Sequence, residues 1–221
     1  MHPRLSHVDC WIFDLDNTLY PASTDLFALI DIRMGEYIAR LLNCDAEHAR
    51  TVQKRYFRDH GTTLSGLMRD HGTDPHEFLN FVHDIELDRL EHDVDLVKHI
   101  SALPGRKLVF TNGDVPYAQR VLDQLGLGDA FELIHDIHAT VYRPKPDPAG
   151  YAQLRDLHRC DLSRSAFFED MARNLKPAKA LGMATIWVDN GSEGGHVDAH
   201  DDYIDFTTDH LTPFLAEILG A

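Results

Sequence analysis

The chain has 221 residues and carries 21 Lys+Arg against 36 Asp+Glu, a formal net charge of −15. With 43% hydrophobic and 26% charged residues it has the composition of a globular protein of one or two domains, which excludes collagen-like, membrane and mostly disordered classes. The charge repels polyanions and no concentrated basic patch offsets it, so neither a nucleic-acid polymer nor a membrane is an expected partner. An anionic ligand would have to be small, and held by local positive groups or a metal.

Cys10, Cys44 and Cys160 are far apart and form no C-x-x-C pair, so no disulfide or structural zinc framework is expected. Residues 1–9 hold no apolar stretch of signal-peptide length, and no window approaches the ~18 apolar residues of a membrane span. The expectation is a soluble cytoplasmic protein, monomer or homodimer. The 15 histidines are scattered and read as surface groups.

Taken in chain order, the first apolar run is CWIF, Cys10–Phe13, continuous rather than alternating and so predicted to be a buried parallel strand. From 24 to 99 the pattern turns helical. Leu26, Leu29, Ile30, Met34, Tyr37, Ile38 and Leu41 form one amphipathic stripe, and 47–59, 64–70 and 75–85 read as further helices separated by Gly-containing breaks. KLVF at 107–110 is the second buried strand, and a helix over 115–125 follows, ended by Gly126. SAFF at 165–168 and ATIWV at 184–188 are two more strands, flanking a helix over 171–181. Residues 191–202 read as a Gly-, His- and Asp-rich loop, and 211–219 as a terminal helix with Asp209 as its cap. Strand, polar loop, helix, strand predicts an α/β doubly wound parallel sheet, Rossmann-like, with ligands at the carboxyl ends of its strands. The long helical stretch is an insert. The expected division is 1–20 with 100–221 as core, and 21–99 as a helical domain.

The chemistry-bearing residues cluster at those strand ends. Asp14 and Asp16, in DLDNTLY, follow the first strand, where a tight loop can turn both carboxylates towards one pocket. Thr111 ends the second strand before Asn112 and Gly113, placing a hydroxyl and amides at a helix N-terminus suited to an anion. Lys145 is the basic side chain set between two prolines in RPKPDP, which fix its backbone; Asp147 and Pro148 read as the cap and first position of a helix. Glu169 and Asp170 put two acids side by side, a costly arrangement that a divalent cation relieves, and oxygen ligands of this kind suit Mg²⁺.

DLDNTLY, then TNG, then the lysine of RPKPDP, then FFEDMARNLKPAKALGM resemble the four ordered motifs of the haloacid dehalogenase superfamily, on its phosphatase branch, over residues 9–188. Within it, DNTLYP, TNGDVPYAQRVLDQLGL and YRPKPDPAGY look most like the pyrimidine 5′-nucleotidase group. The resemblance implies that Asp14 is a nucleophile giving an aspartyl-phosphate and that Asp16 is the general acid and base. It also implies Mg²⁺ held by the Asp14 carboxylate, the Asp16 carbonyl and Asp170, with Glu169 contributing through water. Thr111, the Asn112 amide and Lys145 would stabilise the phosphoryl oxygens. The insert would be a cap domain that chooses the substrate, with His60, Thr62 and Thr63 facing the active site; Tyr20 and Asn112 are further contacts to the leaving group.

A dehalogenase needs neither Asp16 nor the acidic pair. A phosphomutase shares the chemistry, and the sequence leaves open whether water or a second substrate hydroxyl accepts the phosphoryl group. A phospho-Asp receiver domain is shorter and has its acidic pair and acceptor in another order. His196, His200, Asp198, Asp201 and Asp202 read as a solvated loop rather than a second metal site. The substrate is expected to be a small phosphorylated metabolite, a pyrimidine nucleoside monophosphate first, and a sugar phosphate or other small organic phosphate as the alternative.

Overall fold

The computed structural model describes residues 1–220. The chain divides into two compact units, residues 1–24 with 90–221, and residues 25–89. The first is built on six strands, β1 (Cys10–Phe13), β2 (Arg106–Phe110), β3 (Leu133–His135), β4 (Ser165–Glu169), β5 (Ala184–Val188) and β6 (Phe206–Thr208). All pair in parallel, in the order β3-β2-β1-β4-β5-β6. The chain winds outwards from β1 through β2 and β3, then returns to β4 on its other side. The strand order therefore reverses at β1, which makes the carboxyl ends of β1, β2 and β4 the switch point where such sheets bind ligands.

Both faces of β1 are buried, which is why its sequence is apolar without alternation. Cys10 and Ile12 pack on one face with Leu108, Phe110, Phe167, Tyr151 and Leu175. Trp11 and Phe13 turn to the other face, where the Phe13 ring stacks on Phe168 with centroids 4.4 Å apart. The Trp11 indole donates to the Pro104 carbonyl at 2.8 Å, so even this ring's polar edge is satisfied.

Nine α-helices are described, α1 (Leu26–Leu42), α2 (Ala46–His60), α3 (Thr63–His71), α4 (Pro75–Val82), α5 (Val94–Ala102), α6 (Val115–Leu125), α7 (Pro148–His158), α8 (Ala172–Ala180) and α9 (Leu211–Leu219). Tyr151 and Leu154 of α7 and Leu175 and Ala178 of α8 cover the Cys10 face, while Phe214 of α9 meets Phe168 on the other. The carboxylate of Asp147 caps α7 as expected, that of Asp114 caps α6, and Gly126 ends α6 at φ +78°. Helix α9 is capped by His210 rather than Asp209, without a side-chain bond.

The second unit contains α1–α4. Leu26, Ile30, Tyr37 and Ile38 of the α1 stripe are buried, whereas Leu41 is exposed. Helices α2 and α3 approach so closely at Gly66 that a Cβ there would lie 2.3 Å from the Tyr56 ring. Helix α5, which begins inside the 21–99 span and runs on past it, belongs to the sheet-bearing unit and packs on α9. No described helix is long and apolar enough to cross a membrane.

Candidate active site

Phe13 lies level with Val109 of β2 and Phe168 of β4, so Asp14, the Phe110–Thr111 step and Glu169 leave the sheet at one height. The Asp14 N–H donates to the Phe168 carbonyl at 2.9 Å, fixing the nucleophile candidate to the β4 edge. The chain then turns back on itself. Asn17 sits at φ +56°, a left-handed conformation that Asn tolerates, and the Thr18 and Leu19 N–H groups both reach the Leu15 carbonyl, at 3.3 and 3.0 Å. This turn places the Asp16 charge near enough to raise the pKa of Asp14, which a plain extended strand would not do.

Lys145 lies in the loop between β3 and α7. Its Nζ donates to Asp14 Oδ1 at 2.6 Å and to Glu169 Oε2 at 2.7 Å, with the three side chains at most 9% exposed. Asn112 clasps the lysine backbone, accepting from the Lys145 N–H at 2.8 Å and donating to its carbonyl at 3.3 Å. Glu169 is held at its other oxygen by the Met171 N–H at 3.0 Å. Asp170 accepts a hydrogen bond from Ser192, and its carbonyl takes the Trp187 indole N–H at 2.8 Å.

One ammonium thus faces three buried carboxylates, and the ionisation follows from that imbalance. Burial, then the Glu169 charge, push Asp14 up to about 8 against the opposing pull of Lys145. Burial, with Glu169 and Asp14 adding, raises Asp170 well above the usual carboxylate range. Burial acts against ionised Glu169 too, but Lys145 together with hydrogen bonds from Asp170 and the Met171 N–H outweighs it and holds this carboxyl below its ordinary value. Lys145 itself is held above the lysine range because Asp14 and Glu169 overcome its desolvation. Asp14, Glu169 and Asp170 present oxygens within 4.8 Å of one another, the one such convergence of three or more His, Cys, Asp or Glu side chains among the described residues. Hard oxygen donors with surplus negative charge fit a divalent cation.

Asp16 is half-buried and receives two phenols: Tyr20 OH donates to its Oδ1 at 2.6 Å, and Tyr117 OH to the same oxygen at 2.7 Å. The Tyr20 hydroxyl is therefore turned to Asp16. Tyr117, in the first turn of α6, and Ser192 were not singled out from sequence. Tyr117 stands three residues beyond the Asp114 cap, and that fixed offset from a strand-end loop was the signal available. Ser192 had none, since it sits in an irregular Gly-rich stretch. The Thr111 hydroxyl accepts from the Gly113 N–H at 2.9 Å, which tightens the turn into α6.

His60, Thr62 and Thr63 lie in the helical unit, where each polar group has a partner. Thr62 caps α3 through the Ser65 N–H at 3.1 Å, Thr63 donates to the Gln53 carbonyl at 3.4 Å, and His60 Nδ1 meets Arg69 at 3.4 Å. In the 191–202 loop, His196 pairs with Asp189 at 2.9 Å and His200 with Asp202 at 3.3 Å, both histidines exposed.

A parallel α/β sheet with an acidic loop after its first strand, and a lysine and acids gathered at neighbouring strand ends, defines a polar site able to hold a small anion together with a cation. Residues 8–182 match the haloacid dehalogenase-like hydrolases, and the chain belongs to that family. It is 27% identical over 195 residues to phosphate metabolism protein 8 of Saccharomyces cerevisiae, covering 80% of this chain and 60% of that protein's length. To 2-deoxyglucose-6-phosphate phosphatase 2 of the same yeast it is 24% identical over 223 residues, covering 91% of this chain and 88% of the relative. Among solved structures, a haloacid dehalogenase-type phosphatase from Thermococcus onnurineus superposes with a TM-score of 0.65 at 16% identity, covering 96% of this chain and 98% of the other, a likeness of fold.

Proposed function

We propose that the protein hydrolyses small phosphate monoesters through an aspartyl-phosphate on Asp14. The observation that carries this reading is the Lys145 ammonium bridging Asp14 and Glu169 beside Asp170, a compact cluster whose surplus negative charge suits a divalent cation, so that cation and lysine together could receive a phosphate in a protein of net charge −15. Mg²⁺ would be held by the Asp14 and Asp170 carboxylates and the Asp16 carbonyl. Bound there, it would supply Lewis-acid stabilisation of phosphoryl oxygens, and its charge would favour the carboxylate form of Asp14 that attack requires.

An Asp14 oxygen forms a bond to phosphorus while the bond to the leaving oxygen breaks, and Asp16 gives its proton to that oxygen. Water then attacks the phosphorus, Asp16 takes the water's proton, and the Asp14–phosphorus bond breaks to free inorganic phosphate. General acid–base help is worth about 10²–10⁴-fold, far below the roughly 10²¹-fold that phosphate monoester hydrolysis can demand. Lys145, Thr111 and the Asn112 amide supply the larger share as preorganised positive groups. Glu169, bonded to both Lys145 and the Met171 N–H, acts chiefly by holding that lysine in place.

Pyrimidine nucleoside 5′-monophosphates are the first-choice substrates, on the DNTLYP, TNGDVPYAQRVLDQLGL and YRPKPDPAGY segments. Sugar phosphates are the second reading, favoured by the likeness to a 2-deoxyglucose-6-phosphate phosphatase. The helical unit would act as a cap, with His60, Thr62 and Thr63 near the substrate. Phosphate release from UMP, CMP, AMP, 2-deoxyglucose 6-phosphate and phosphoglycolate, with Mg²⁺ or EDTA, tests this. UMP or CMP preference supports the nucleotidase reading; preference for the sugar phosphate replaces it. No release from any of them contradicts phosphomonoester hydrolysis.

A further inference from the structure

Asp16 is held from two directions by side chains that packing alone does not explain. Tyr20 is 2% exposed and Tyr117 1% exposed, so both rings are interior groups that Phe would fill equally well. A buried hydroxyl is costly unless bonded, and both hydroxyls spend a hydrogen bond on the same atom, Asp16 Oδ1, at 2.6 and 2.7 Å. Their supports are stiff. Tyr20 directly follows the Leu15–Leu19 turn, and the Tyr117 N–H is fixed by the Asp114 cap at 3.3 Å.

Two donors on Oδ1 leave no room for a proton on that oxygen. We propose that Tyr20 and Tyr117 are positioning residues that assign the transferable proton of Asp16 to Oδ2 and hold the carboxyl towards the leaving oxygen. This inference rests on the aspartyl-phosphate reading above. In the first step the O–H bond at Oδ2 breaks as the proton passes to the leaving oxygen, and the carboxylate left behind keeps both phenolic hydrogen bonds. In the second step Oδ2 takes the proton of the attacking water. Neither tyrosine exchanges a proton with substrate.

The test compares kcat/KM of wild type, Tyr20→Phe and Tyr117→Phe on an alkyl phosphate monoester and on p-nitrophenyl phosphate. An alkoxide needs protonation to leave and p-nitrophenolate does not, so a defect in proton delivery appears on the first ester alone. Each variant is expected to lose about tenfold or more on the alkyl ester, within the range of general acid catalysis, and less than about threefold on the aryl ester. In an Asp16→Asn background the tyrosine substitutions should add no further loss, because they act through Asp16. Equal losses on the two esters, no loss on either, or full additivity with Asp16→Asn would overturn the assignment. A wild type inert on both esters would instead overturn the phosphatase reading beneath it. Thermal melts of each variant separate a folding defect from these outcomes, and either tyrosine alone suffices for the comparison.

Discussion

The Asn112 carboxamide closes a two-point clasp on the backbone of Lys145, accepting from the N–H at 2.8 Å and donating to the carbonyl at 3.3 Å. It joins the loop after β2 to the loop before α7, 33 residues away in the chain, and so sets where the lysine side chain begins. The ammonium then needs to bridge only Asp14 and Glu169. Asn112→Ala is expected to lower kcat/KM by about 10–100-fold, since a displacement near 1 Å at a catalytic group costs on that order. Steady-state kinetics beside a denaturation curve checks this: activity should fall far more than stability, which loses only about 1–2 kcal/mol for two hydrogen bonds.

Lys145 is the sole ammonium bonded to the Asp14 and Glu169 carboxylates among the described residues. Lys145→Met leaves both acids buried without their partner, and breaking a buried pair in this way costs about 3–5 kcal/mol. The carboxyls of the variant would have folded pKa values raised above their unfolded ones, so its deficit grows as pH rises and shrinks on acidification. Urea unfolding at pH 7.5 and pH 5.5 without divalent cations reads the effect. A variant as stable as wild type at both pH values would show that the triad is not held by this lysine.

Asp170 has its carboxyl pushed well above the usual range by burial, Glu169 and Asp14, and a cation would reverse this. Mg²⁺ added to the substrate-free protein should therefore raise its melting temperature. Saturation at one hundred times Kd corresponds to about 2.7 kcal/mol. Asp170→Asn should abolish the rise. A melting curve indifferent to Mg²⁺ in the wild type would contradict the metal assignment without reference to turnover.

His135, at the end of β3, is fully buried, and burial followed by the neighbouring His158 lowers its pKa from 6.5 to about 4. A base depressed in the folded state contributes stability above its unfolded pKa and loses it as pH falls through the window from 6.5 to 4. His135→Gln cannot take up that proton. Its melting temperature should fall less than the wild type's between pH 6.5 and 4, after both are referred to their values at pH 7.5. Parallel curves would show that His135 carries none of the acid sensitivity.

The central strands were legible because a fully buried parallel strand writes its environment directly into an apolar run, as CWIF and ATIWV do. The edge strands were not. LIH of β3 and FTT of β6 are three residues long and only partly buried, too short for any period to register. Helical spacing and the Gly126 stop located α6, and the Asp147-Pro148 cap located the start of α7. In the site, Asp14, Thr111, Lys145, Glu169 and Asp170 could be named because strand ends converge in a doubly wound sheet. Tyr117 and Ser192 could not, since their meaning lies in which carboxylate they touch, a relation between distant segments. Asn112 could be named, but not the clasp its side chain makes on the lysine loop, which is again a relation between distant segments.

The central claim, that Asp14 is the phosphoryl acceptor, is tested most directly by catching the intermediate. Enzyme mixed with its substrate and Mg²⁺ would be quenched in acid within one turnover and digested for peptide mass spectrometry. The account predicts one added phosphoryl group on the peptide containing Asp14, absent from Asp14→Asn, which also releases no phosphate. A wild type that turns over without a phosphorylated Asp14 peptide, together with an Asp14→Asn variant of undiminished activity, would contradict it.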